Sequence, residues 1–90
     1  MDMKDIEDML NERQKTHGDF SEIARLVNDA RNVFSGAFTA CNPEQLLAFD
    51  MILLKLARIT VGNNDNEDNW RDIAGYAVLG ARSIESKAAE

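Results

Sequence analysis

Eight consecutive residues, Arg13-Gln14-Lys15-Thr16-His17-Gly18-Asp19-Phe20, gather a guanidinium, an ammonium, a hydroxyl, an imidazole and a carboxylate around one glycine. Glycine accepts the left-handed backbone that other residues avoid, so a turn here could aim Arg13, Thr16, His17 and Asp19 at a common polar ligand. The same residues also read as punctuation between two helices. Gly18 then serves as a C-cap, Asp19 as an N-cap, and His17 is left to solvent. Local spacing alone favours the punctuation.

A second group repeats at helical spacing: Met51, Lys55 and Arg58 share one face of an otherwise apolar segment. Two cations there must either extend to water or enter a cleft where carboxylates or phosphate neutralise them. Arg58 has the fork geometry for a carboxylate or phosphate, and Lys55 would act as a point charge. A third face carries Asp68, Asp72, Gly75, Tyr76 and Leu79. Carboxylates one turn apart could hold magnesium beside a phosphate, with Asp50 as a third ligand. Acidic residues at a helix N-terminus also arise simply because they complement the helix dipole, and Asp50 could equally neutralise Lys55 or Arg58.

Other chemistries lack their parts. One histidine and one cysteine cannot build a structural zinc site. No strand, turn and helix succession supports a nucleophile elbow or a phosphate-binding Walker loop. Cys41 and His17 have no spacing that favours a cysteine-histidine pair.

The elements that must position these groups are all helical by periodicity. Ile6, Met9 and Leu10 mark a first helix that stops at Gly18. Ile23, Leu26, Val27, Ala30, Val33 and Phe34 define an amphipathic second helix starting near Asp19 or Ser21. Residues 35–41 read as a loop of glycine and small residues. Asn42-Pro43-Glu44-Gln45 is a strong helix start, with a capping side chain, a proline at the first helical position and a capping-box glutamine. The helix it opens carries Leu46, Leu47, Phe49, Ile52, Leu53, Leu56 and Ile59 around most of its circumference, which predicts the central helix, ending at Gly62. After a polar turn at 63–67, a last helix starts between Asp65 and Asp68 and carries Trp70, Ile73, Ala74, Ala77, Val78, Ala81 and Ile84. Gly75 and Gly80 inside it cost about 1 kcal/mol each relative to alanine, so packing or a ligand should account for them. The tail after Ser86 is expected to fray. The expected fold is therefore all-α, a single compact four-helix domain spanning 1–90.

Ninety residues bury only a modest core alone, so completion by a second copy in a homo-oligomer is expected. The net charge of -6 argues against a DNA or RNA duplex as partner, since no basic stripe is present. A small anion remains compatible, because a few cations in a cleft outweigh the distant surface. The lone Cys41 and the absence of an apolar leader point to the cytoplasm, and the longest apolar run, interrupted by Asp50, Lys55 and Arg58, excludes a membrane span.

Three blocks, Lys15-Thr16-His17-Gly18-Asp19-Phe20, Asp50-Met51-Ile52 with Lys55 and Arg58, and Asp68 through Asp72-Ile73-Ala74-Gly75-Tyr76, resemble a family of small phage and prophage all-helical proteins. The last two blocks are also similar, more remotely, to MazG-like all-α nucleotide pyrophosphatases, which present acidic residues to magnesium and a nucleoside triphosphate. Those enzymes carry a Glu-x-x-Glu pair and a second acidic pair; here Asp68-x-x-x-Asp72 stands without a convincing first pair. This resemblance, and not periodicity, groups the three constellations into one site. It implies a phage-type protein of the host cytosol that sequesters a phosphorylated nucleotide, such as an immune signalling nucleotide, without cleaving it. His17, Lys55 and Arg58 would hold phosphate, with Trp70 or Tyr76 stacking on a base. The alternatives are a magnesium-dependent pyrophosphatase using Asp50, Asp68 and Asp72, and a structural or protein-binding helical module; only the pyrophosphatase requires a cofactor.

Overall fold

A computed structural model describes residues 2–62 and 64–89, with the side chains at 16, 17 and 86–89 outside the description. Its elements are α1 (Met3–His17), α2 (Phe20–Val33), α3 (Ala37–Ala40), α4 (Pro43–Val61) and α5 (Glu67–Ala89). No strand occurs among the described residues, so the all-α expectation holds. No described helix is long and apolar enough to cross a membrane.

Helix α4 is the hub. It packs along α5, against α2, and more sparsely against α1. Its start follows from its sequence: the Asn42 side chain accepts from the Gln45 amide at 2.7 Å, and the Gln45 side chain accepts from the Asn42 amide at 2.8 Å. This reciprocal pairing satisfies two donors that a helix N-terminus otherwise leaves orphaned. The Asn42 side-chain Nδ2 donates to the Ser83 hydroxyl at 3.3 Å, tying the beginning of α4 to the far end of α5. Ser83 in turn donates to the Gly80 carbonyl at 2.7 Å. A Cβ built on Gly80 would lie 3.7 Å from that of Ala48, in ordinary contact. Gly80 thus sits in the helix contact, whereas Gly75 faces open space.

On its other side α4 meets α2 through an edge-to-face contact of Phe34 and Phe49, ring centroids 5.7 Å apart. An ion pair between Arg31 and Asp50, at 3.0 Å, joins the same two helices. The buried apolar centre consists of Ile23, Ala48, Leu53 and Ala57. Leu47 and Leu56 remain exposed, so the apolar surface of α4 is less completely covered than its circumference of leucines suggests.

One local feature differs from the sequence expectation. The segment read as a loop contains one helical turn, α3, closed by amide donation from Ala40 to the Gly36 carbonyl and from Cys41 to that of Ala37. The Thr39 hydroxyl adds a bond to the Gly36 carbonyl. Small residues lacking amphipathic periodicity still close a turn when a backbone carbonyl lies within reach.

The connection between α1 and α2 depends on Gly18, whose φ of 87° and ψ of 175° suit glycine almost alone. A Cβ there would lie 2.9 Å from the backbone carbonyl of Val61 and 2.8 Å from its Cγ2. The glycine therefore lets the turn rest directly on the last residue of α4. Gly18→Ala should lower stability by about 1–3 kcal/mol from backbone strain alone, and more through displacement of Val61. Gly36→Ala, at a position with helical angles and open space around it, should be neutral or stabilise by up to about 1 kcal/mol. Urea titration of both variants tests this; equal effects would contradict the assigned role of Gly18.

Candidate ligand cleft

With the turn held on α4, the C-terminal half of α1 leans over the side of α4 and the start of α2. Between them lies a cleft of about 790 Å³ lined by Leu10, Asn11, Arg13, Gln14, Gly18, Phe20, Ile23, Leu54 and Arg58. Its apolar wall comes from Leu10 and Leu54 and from Ile23, which is 5% exposed. Polar groups come from both walls: Arg13, Asn11 and Gln14 from α1, Arg58 from α4. Among the described residues Arg58 has no carboxylate within ion-pair distance. Phe20 stands at the cleft with 80% of its surface open, far more than a core aromatic retains.

Lys55, one turn before Arg58, points elsewhere. Its ammonium lies 2.9 Å from the Asp72 carboxylate of α5, with the lysine side chain only 11% exposed and the aspartate 45%. Asp72 also lines a shallower groove of about 530 Å³ along α5, together with Arg71, Gly75, Tyr76, Val78, Leu79 and Arg82. The cleft and the groove share no lining residue. Asn69, one turn before Asp72, is 3% exposed, and its side-chain nitrogen has no partner among the described residues.

The sequence candidates therefore divide. Arg13 and Arg58 line one cleft, while Asp72 and Tyr76 line a separate groove. Asp19 accepts from the Ser21 amide at 3.2 Å and caps α2. The side chains of Thr16 and His17 lie outside the described residues. Trp70 is half exposed, donates its indole N–H to the Asn64 carbonyl at 3.4 Å, and lines neither cavity. Asp50 is engaged by Arg31, and Asp68 is exposed in the first turn of α5, where its amide donates to the Asn66 side chain. Among the described residues no three acidic, histidine or cysteine groups are placed to hold one metal ion.

Of the cleft residues without a candidate role by motif, Gln14 and Phe20 belong to the loop block and Asn11 lies just before it. The signal for Asn11 is its i, i+3 spacing to Gln14, which puts two amides on one side of α1.

A family profile matches residues 3–84, nearly the whole chain and all the cleft residues. The chain belongs to the DUF6378 family. That family is described as a domain of unknown function. No curated protein and no solved structure matches this DUF6378 chain.

The Lys55–Asp72 pair gives the site its first test. Removing the carboxylate strands an almost buried ammonium, a loss of about 3–5 kcal/mol for a fully buried pair. With Asp72 half open to water, Asp72→Ala should cost about 1–3 kcal/mol. Lys55→Met should be close to neutral and should abolish most of the cost of Asp72→Ala in the double variant. A denaturation cycle measures the coupling, and strictly additive losses would show that the pair does not act as a unit.

Proposed function

We propose that this DUF6378 domain binds a phosphorylated small molecule of nucleotide size in the cleft between α1 and α4, and holds it without cleavage. The observation that carries this reading is the Arg58 guanidinium, which lines the cleft with Arg13 on the opposite wall and has no carboxylate partner among the described residues. Two guanidiniums across a cleft suit a phosphate, because each presents paired donors in a planar fork. The side-chain amides of Asn11 and Gln14 offer donors and acceptors for base edges, and the Phe20 ring offers a stacking face. This stacking role falls to Phe20 in place of Trp70 or Tyr76, and Lys55 serves to fix α5 on α4. The volume of about 790 Å³ falls within the range of small-molecule sites.

The donor set favours capture over hydrolysis. A magnesium-dependent pyrophosphatase needs several carboxylates around its ions. Here Asp50 and Asp72 are each held by a cation of another helix, and Asp68 sits on the first turn of α5. These residues do not fit a magnesium cage, and no catalytic step is assigned to them. Sequestration of a signalling nucleotide remains the finer form of the proposal, supported by the phage-family resemblance of the Lys15–Phe20 block.

Calorimetric titration with nucleoside triphosphates and cyclic oligonucleotides, with and without magnesium and followed by product analysis, tests the reading. At least one ligand should bind and be recovered intact. Arg58→Ala or Arg13→Ala should weaken it at least tenfold, as expected for loss of a charge-assisted bond worth about 1.5–3 kcal/mol. Release of pyrophosphate, or heat effects untouched by either substitution, would defeat the proposal.

A further inference from the structure

The longest helix, α5, uses only one of its faces. Asn69, Ile73, Gly80 and Ser83 are turned inward, Asn69 and Ser83 being almost fully buried. Beside this buried face, centred roughly 100° around the helix from it, Trp70, Ala74, Ala77, Ala81 and Ile84 recur at alternating intervals of four and three residues, and all five are exposed. At 100° per residue they fall within an arc of roughly 80°, forming a stripe about 21 Å long. Val78, 48% exposed, borders it. Trp70 and Ile84 are 53% and 55% exposed, so the stripe begins and ends on large apolar side chains left about half open. The four-three interval is the spacing of a helix-pairing seam.

The amount of open surface is also abnormal for a lone domain. The chain exposes 6583 Å², whereas a compact monomer of 10.1 kDa exposes about 5,300 Å². Its radius of gyration is 15.7 Å, against about 12 Å for a compact domain of this length. The excess over the whole chain, to which the exposed Met3, Met9 and Leu10 of α1 contribute as well as α5, is about 1,300 Å², against the ~800 Å² that each partner contributes to a stable interface.

We infer that the outer face of α5 pairs with the same face of a second copy of this chain, the two helices running antiparallel about a two-fold axis near Ala77. The order of side chains fits an interface with itself. Reading outward from Ala77 in either direction gives an alanine and then a large apolar residue, Trp70 on one side and Ile84 on the other. A two-fold axis there brings the alanines of both helices together and sets each bulky end against the other copy's opposite end. Alanines at the crossing allow the axes to approach to about 8 Å, the short end of helix packing distances. Charges beside the seam come close to the same symmetry: Arg71 and Glu85 lie on one flank, six and eight residues from Ala77, so antiparallel pairing brings the arginine of each copy toward the glutamate of the other. A foreign helix would carry no requirement for this internal symmetry. Since Val78 also borders the groove along α5, the second copy forms a further wall of that groove.

Light scattering across micromolar concentrations should give a particle of twice the 10.1 kDa chain mass. Ala77→Glu places two carboxylates at the axis and should shift the particle to monomer. Should that variant lose its helical circular dichroism, a second one decides: Ala77→Cys in a Cys41→Ser background. Mild oxidation should link Ala77→Cys chains into disulfide dimers several-fold more completely than Ala24→Cys chains, which carry the thiol on exposed α2. A wild-type monomer throughout, a dimer indifferent to Ala77→Glu, or equal cross-linking from positions 24 and 77 would each overturn the inference. Ligand plays no part in these measurements, so their outcome is independent of the proposed cleft.

Discussion

An ammonium group placed between two helices must find a counter-charge or abandon its position, and in this chain that requirement fixes how α5 lies on α4. Lys55 is nearly sealed in the contact and meets Asp72 at 2.9 Å. Apolar packing alone would tolerate sliding, since alanines, isoleucines and leucines on the two faces can exchange partners at small cost. The ion pair does not tolerate it, because a shift of one turn, about 5.4 Å, separates the charges and leaves the lysine unpaired. The Asn42 to Ser83 bond at the other end of the same contact, together with the Gly80 and Ala48 approach, repeats the register. A buried pair contributes little net stability compared with a well-packed apolar substitute. Its effect here is to specify one alignment among several of similar energy.

That alignment determines what Arg58 can do. Arg58 follows Lys55 by three residues, so once Lys55 is turned toward α5 the arginine is rotated about 60° away from it, toward the side where α1 and α2 enter. Leu54, four residues before Arg58, lies on the same side and supplies part of the cleft wall. The two cations that look equivalent in the sequence are thereby divided, one for the helix contact and one for the cleft. Gly18 completes the arrangement from the other direction by resting on Val61, one turn beyond Arg58. The cleft therefore owes its position to a buried ion pair and one glycine, neither of which needs to touch a ligand.

The helices were largely legible because their signals are local. Asn42, Pro43 and Gln45 announce a start within four residues, and the bonds found there are those a capping box requires. Gly18 and Asp19 likewise read as a stop and a start, and both serve as caps. What spacing could not reveal was pairing between helices. Asp50 was an equally good partner for Lys55 or Arg58 on its own helix, yet it joins Arg31 of α2. Asp72 offered the look of a metal ligand, and its neighbour in space is an ammonium. Such choices depend on how α2 and α5 are rotated about α4, a property of the whole packed set. The single turn of α3 was missed for the opposite reason: it is too short to show any period.

The uneven coverage of the chain follows from the same division of labour. Helix α5 is held along its length, whereas α1 touches α4 sparsely and leaves Met3, Met9 and Leu10 at least 40% exposed. The wall that carries Arg13 is thus the least firmly attached part of the fold, and its attachment is concentrated at the Gly18 turn. An anion spanning Arg13 and Arg58 would bind only the arrangement in which α1 lies against α4. By mass action it would stabilise that arrangement, by about 2.7 kcal/mol at a ligand concentration one hundred times its dissociation constant. Ligand affinity and the docking of α1 are then two aspects of one equilibrium. A substitution that loosens α1 far from the cleft, among the exposed residues of its first turns, would weaken binding without removing any group that meets the ligand, because the binding-competent fraction itself is reduced.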